Sequence, residues 1–171
     1  MDSHPTDEST PSGIPFRVLF VCTGNTCRSP LAEVIALRQL EERGWNQVEV
    51  ASAGVAALGG SPASGGSLRI AAARGLNLSS HSATQLTRAV AEDADLILTM
   101  SASHLMRVME LVSGDQAAII TSFAASGEED DLSQGVPDPI GGPDEEYAET
   151  FEVLDDLIAR SFARLETVIK P

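Results

Sequence analysis

The junction within residues 16–43 constrains this chain most. A run rich in strand formers, FRVLFVC at 16–22, passes through a short polar loop into PLAEVIALRQLEER at 30–43. A short apolar run of the first kind suits a strand buried on both faces, as in a parallel sheet. In the second run Leu31, Val34, Ile35 and Leu40 fall on one helical face. Pro30 sits near the first turn and Gly44 provides the stop. A strand feeding straight into a helix is the opening of a β-α-β crossover.

The same alternation continues. Residues 48–53 predict a second strand, 54–66 a Gly/Ala/Ser-rich loop, and 67–75 a short helix ending in glycine. Residues 94–100 (ADLILTM) predict a third strand. Residues 101–112 predict a helix capped by Ser101 or Ser103, and 117–121 a fourth strand. Residues 124–143 are acidic and rich in Pro and Gly, which predicts an irregular loop. Residues 144–169 predict a long closing helix, with Tyr147, Phe151, Leu154, Ile158, Phe162 and Leu165 at three- and four-residue spacing. The expectation is a single α/β domain at 15–171, with a four-stranded parallel sheet flanked by helices on both faces, Rossmann-like in layout. Residues 1–14, polar and Pro/Ser-rich, are expected to be a disordered tail. Ligands of such folds bind at the carboxyl ends of the strands, which directs attention to Cys22 and the loop after it.

Composition narrows the function. A formal net charge of −14 argues against nonspecific binding to nucleic acid or anionic lipid. No apolar run reaches the roughly 20 residues of a membrane helix, and the first residues lack the pattern of a secretory signal, so a cytoplasmic location is expected. The two cysteines, Cys22 and Cys27, are too few for a disulfide scaffold, and the three histidines are scattered, so neither a metal nor a cofactor is expected.

The loop itself reads Cys22-Thr23-Gly24-Asn25-Thr26-Cys27-Arg28-Ser29-Pro30. A tight turn into a helix aims backbone N–H groups at a common point, and the helix dipole adds positive potential. Gly24 permits close approach, and Arg28 can fork two N–H groups onto phosphate oxygens. The same field favours a thiolate at Cys22, and Ser29 can donate a hydrogen bond to it. Asn25 can brace the loop through its amide. Cysteine followed by arginine six positions later is common by chance, but here it lies between a predicted strand and a predicted helix.

The segment VCTGNTCRSPLAE resembles the signature of the low-molecular-weight protein phosphatases, a family related to one class of arsenate reductases. Ser52-Ala53-Gly54, Asp95-Leu96-Ile97-Leu98-Thr99-Met100 and Asp138-Pro139 resemble further family segments, so the likeness covers residues 16–170. It implies that Cys22 attacks phosphorus and becomes a phosphocysteine. Arg28 and the loop of Thr23, Gly24, Asn25, Thr26, Cys27 and Ser29 would bind the oxygens. Asp138, which alone would pass for a solvated turn residue, would protonate the leaving group and then activate water. Cys27 is either a small packing residue or a guard thiol that can pair with Cys22 on oxidation. No role is assigned to His81 or His104.

The resemblance bears on substrate as well. Tyrosine-directed relatives carry a large aliphatic residue where this chain has Thr26, and arginine-directed relatives carry threonine. A hydroxyl can accept a guanidinium N–H that an aliphatic side chain would leave unpaired. Ile140, after Asp138-Pro139, replaces the aromatic residue of the tyrosine-directed members and departs from the arginine-directed ones too. The reading is therefore a protein phosphatase for phosphotyrosine or phosphoarginine, leaning to phosphoarginine. Its partner would be a phosphorylated protein, its product inorganic phosphate, and its state a monomer. An arsenate reductase would need further redox cysteines after Cys27. A noncatalytic phosphate- or phosphoprotein-binding module would need neither a nucleophile nor an acid.

Overall fold

Strand β1 (Phe16–Cys22) lies inside the sheet rather than at its edge. The computed structural model describes residues 13–125, 135–169 and 171. In it β2 (Val48–Gly54), β3 (Leu96–Thr99) and β4 (Ala117–Ile119) complete a four-stranded sheet of order β2-β1-β3-β4, every pair parallel. The expected α/β sheet is the observed one. The helices are α1 (Arg28–Arg43), α2 (Gly65–Ala73), α3 (Arg88–Glu92), α4 (Ala102–Leu111), α5 (Ile120–Ala124) and α6 (Asp144–Ile169).

Side chains of a strand alternate between faces, so an unbroken apolar run needs cover on both. Val18, Phe20 and Cys22 of β1 enter a core shared with α1, α2, α5 and α6. Leu19 and Val21 enter a second core with Ala91 of α3 and Val108 of α4. The long α6 supplies Phe151, Leu154, Ile158 and Phe162 to the larger core, each fully buried. Trp45 packs there too, its ring centroid 5.7 Å from that of Phe162.

Three elements depart from the sequence reading. β4 stops at Ile119, and residues 120–124 form α5 instead of extending the strand. Ile120 and Ala124, one helical turn apart, both enter the larger core, and a short apolar run satisfies either period. α2 begins at Gly65, with Ser64 before it. α3 was not expected; it buries only Ala91, and Thr87 caps it by accepting from Val90 N at 3.2 Å. Of the two caps expected for α4, Ser101 is the one used. The tail expected at 1–14 lies almost wholly outside the described residues, as do 126–134 of the expected acidic loop, including Asp130 and Asp131. Residues 135–143 contain no helix or strand.

The chain leaves β1 towards β2 and returns on the other side as β3. That reversal opens a crevice at the carboxyl ends of β1 and β3. Cys22, paired in register with Gly54, stands at its edge.

Candidate active site

Between Cys22 and α1 the chain makes one tight turn, and its carbonyls point outward. Cys22 O accepts from Val55 N at 3.0 Å, Thr23 O from Ala56 N at 2.9 Å and Thr26 O from Ser64 N at 2.8 Å. Asn25 O bonds His81 Nε2 at 2.7 Å, so that ring nitrogen carries the proton. In a trans peptide the N–H opposes the preceding carbonyl. The N–H groups of Thr23, Gly24, Thr26 and Cys27 therefore face inward, joined by the free amides at the start of α1. Such a nest of inward N–H groups can hold an anion.

Asn25 is what lets the turn close. It is fully buried and adopts φ 56°, the one described non-glycine residue with positive φ. Its Oδ1 accepts from Thr84 N at 2.8 Å, and its Nδ2 donates to Ser29 Oγ at 2.8 Å and Ser52 Oγ at 2.9 Å. Ser52 Oγ in turn donates to Glu33 Oε1 at 2.8 Å. Ser29 Oγ lies 2.8 Å from Cys22 Sγ. Because Ser29 already accepts from Asn25, its own proton is free to point at the sulfur and stabilise a thiolate. Gly54 packs directly beneath the turn. A Cβ there would lie 2.5 Å from Thr23 O and 2.8 Å from Asn25 N, both backbone atoms.

Arg28 is buried beside the nest. Its Nη1 donates to Val136 O at 2.9 Å, and its Nη2 makes longer contacts to Thr23 Oγ1 (3.5 Å) and Asp138 Oδ2 (3.4 Å). Its Nε is buried with no hydrogen-bond partner among the described residues. Nη1 is thus spent on structure, while Nε and Nη2 form the fork that matches two oxygens of a phosphoryl group. Asp138 faces the same space, its side chain about one-third exposed (38%). Its Oδ1 accepts from Ile140 N at 3.1 Å, which leaves Oδ2 towards the cavity. A cavity of about 180 Å³ is lined by Cys22, Thr23, Gly24, Thr26, Cys27, Arg28, Asp138 and Ile140.

The sequence-predicted residues converge on one place, and Asn25 and Ser29 take the bracing and thiol-bonding roles that their side chains suggested. Asn25 and Ser29 do not line the cavity; they act from behind, on the loop and on the sulfur. Cys27 is turned partly aside, donating to Ser64 Oγ at 3.2 Å and lying 3.7 Å from Tyr147 Oη. His81 and His104, to which sequence gave no role, both serve the loop. His104 Nε2 lies 2.8 Å from Thr23 Oγ1, and burial, then the Arg28 guanidinium, push its pKa down to about 4 against the opposing pull of Asp138. Their only sequence signal was position, His81 before a loop segment and His104 in the first turn after β3. Among the described residues, no cluster of three or more His, Cys, Asp or Glu could hold a metal ion.

Residues 17–170 match the model of the low molecular weight phosphotyrosine protein phosphatases. The chain belongs to this family. It is 36% identical over 156 residues to a protein-arginine-phosphatase of Geobacillus stearothermophilus, covering 90% of this chain and 99% of the relative. It is 33% identical over 138 residues to the low molecular weight protein-tyrosine-phosphatase Wzb of Escherichia coli strain K12, covering 81% and 87%. A solved structure of YwlE arginine phosphatase, a Cys-to-Ser mutant with a phosphorylated active-site serine, superposes with TM-score 0.80 at 30% identity, covering 91% of this chain and 98% of that one. As a member of the family this protein is a cysteine-dependent protein phosphatase, and the crevice beyond β1 and β3 is the candidate site for its chemistry. No helix among the described residues is long and apolar enough to cross a membrane.

Proposed function

We propose that the protein hydrolyses phosphorylated protein side chains through a phosphocysteine on Cys22, and that its preferred substrate is phosphoarginine. The observation that carries the mechanism is the convergence of Cys22, the Arg28 fork and Asp138 on one 180 Å³ cavity. The Cys22 thiolate attacks phosphorus, and the bond to the leaving group breaks. The inward amides and Arg28 take up the charge on the equatorial oxygens. Asp138 in its acid form gives its proton to the departing atom. The resulting carboxylate then takes a proton from water, which attacks phosphorus, frees the Cys22 sulfur and releases inorganic phosphate. The phosphorylated active-site serine of the arginine phosphatase relative supports an adduct at this position.

Thr26 supports the substrate reading. It lines the cavity with Ile140, and its hydroxyl can accept an N–H of a phosphoarginine guanidinium. No aromatic residue lines the cavity to stack on a phenyl ring. The similarity to a protein-arginine-phosphatase over 99% of that relative's length agrees with this. Measuring kcat/KM for phosphoarginine and phosphotyrosine peptides side by side tests it. Wild type should favour phosphoarginine, and Thr26→Ile should move the ratio towards phosphotyrosine. An unchanged ratio would remove Thr26 from the account. Arsenate reduction is disfavoured because the sequence has no cysteine after Cys27 to carry a disulfide onward. The two free thiols suit a reducing cytoplasm, and we take the working unit to be a monomer.

A further inference from the structure

We propose that His104 is a positioning residue for the reaction: a neutral imidazole, wedged between Ser101 and Thr23, that fixes the first residue of the loop and through it the Arg28 fork. This rests on the phosphatase reading of the site. His104 is buried, 3% exposed, on the first turn of α4. Nδ1 lies 2.9 Å from Ser101 Oγ, the N-cap hydroxyl that also accepts from His104 N at 3.4 Å. Nε2 lies 2.8 Å from Thr23 Oγ1. The same Thr23 oxygen accepts from Arg28 Nη2.

Burial and the neighbouring Arg28 guanidinium favour an uncharged ring. The charged groups facing it are the Arg28 guanidinium and, opposing, the Asp138 carboxylate. A neutral imidazole can serve both hydroxyls in either tautomer, donating to one and accepting from the other. An imidazolium would set a second positive charge against a buried arginine. Thr23 is itself exposed, and its hydroxyl would turn freely without this contact. With it, the threonine oxygen becomes a fixed stop for Nη2, while Val136 O fixes Nη1 from the other side. Val136 is anchored in its turn, its N donating to Met100 O at 2.8 Å at the end of β3. The carboxyl end of β3 and the helix after it therefore hold the arginine by two routes, one through Val136 and one through His104 and Thr23. Cys22 is not on either route; Ser29 and Asn25 hold it from the opposite flank.

That separation makes the test specific. His104→Ala should lower kcat/KM for p-nitrophenyl phosphate about tenfold, the scale of one hydrogen bond to a charged group. Affinity for orthovanadate should fall by a similar factor. Alkylation of Cys22 by iodoacetamide at fixed pH should fall much less than kcat/KM, since Ser29 and Asn25, which hold the sulfur, are untouched. Thr23→Val cuts the same link without altering α4. It should reproduce the effect, and the double variant should be no worse than the more impaired single. Inorganic phosphate binding by calorimetry, in Cys22→Ser with and without His104→Ala, reads the link where no turnover occurs. It thereby separates failure of this inference from failure of the phosphatase reading, which wild-type turnover tests. Unchanged kcat/KM and unchanged oxyanion affinity in both single variants would overturn the proposal. So would a slowed alkylation that matches the loss of activity, which would mark His104 as a prop for the whole loop.

Discussion

Replacing Asn25 should damage stability and activity together, in a way a generic buried polar residue would not. The side chain makes two buried hydrogen bonds, to Ser29 Oγ and Ser52 Oγ, and a part-buried one from Thr84 N. Each contributes about 0.5–1.5 kcal/mol net, the two buried bonds at the higher end of that scale. The backbone at φ 56° adds about 1–2 kcal/mol for any residue with an ordinary Cβ. Asn25→Ala should therefore lose roughly 3–6 kcal/mol, a large part of the stability of a domain this size. Asn25→Gly loses the same hydrogen bonds but not the backbone term, and should be about 1 kcal/mol more stable than Asn25→Ala. Urea unfolding of the three proteins reads both differences. Turnover of p-nitrophenyl phosphate should fall about a hundredfold in each folded variant, the cost of a nest displaced by about an ångström. A glycine variant less stable than the alanine one, or an alanine variant within about 1 kcal/mol of wild type, would refute the reasoning.

Gly54→Ala should also lower kcat/KM, by about tenfold or more, because the new methyl group meets the loop backbone at 2.5 Å and only the loop can yield; a crystal structure of the variant would show the turn displaced. Asp138→Asn should reduce kcat about a hundredfold on a substrate with a poor leaving group and far less on p-nitrophenyl phosphate, as pH–rate profiles on both substrates would show. His104, held near a pKa of 4 when folded against 6.5 ordinarily, binds its proton in the unfolded chain first. Stability should therefore fall as pH drops from about 6.5 to 4, by roughly 2–3 kcal/mol, and His104→Gln should flatten that part of the unfolding profile relative to wild type.

Much of the fold was legible because the strongest signals were periodic. The 16–22 run, the amphipathic stretch after Pro30 and the spacing from Tyr147 to Leu165 each carry their period plainly, and they became β1, α1 and α6. What was illegible was short. Residues 120–124 satisfy strand and helix alike, and tertiary packing of Ile120 and Ala124 decided between them. α3 buries a single alanine and left no pattern to read. At the site, Cys22, Arg28 and Asp138 were legible from motif and resemblance, because their chemistry is local to short segments. His81 and His104 were not, since they act on the loop from 56 and 81 positions away in the chain. Asn25 was read as a brace, but that it reaches Ser52 and Thr84 is a property of the fold alone.

The account stands on a phosphoryl group passing through the Cys22 sulfur. Rapid quenching of the Asp138→Ala protein with p-nitrophenyl phosphate, followed by mass spectrometry of the acid-quenched peptides, tests this directly. The predicted result is a burst of nitrophenol matching the enzyme concentration, with phosphate on the peptide that carries Cys22 and none there in Cys22→Ser. Steady turnover with no adduct, or an adduct on another residue, would contradict it.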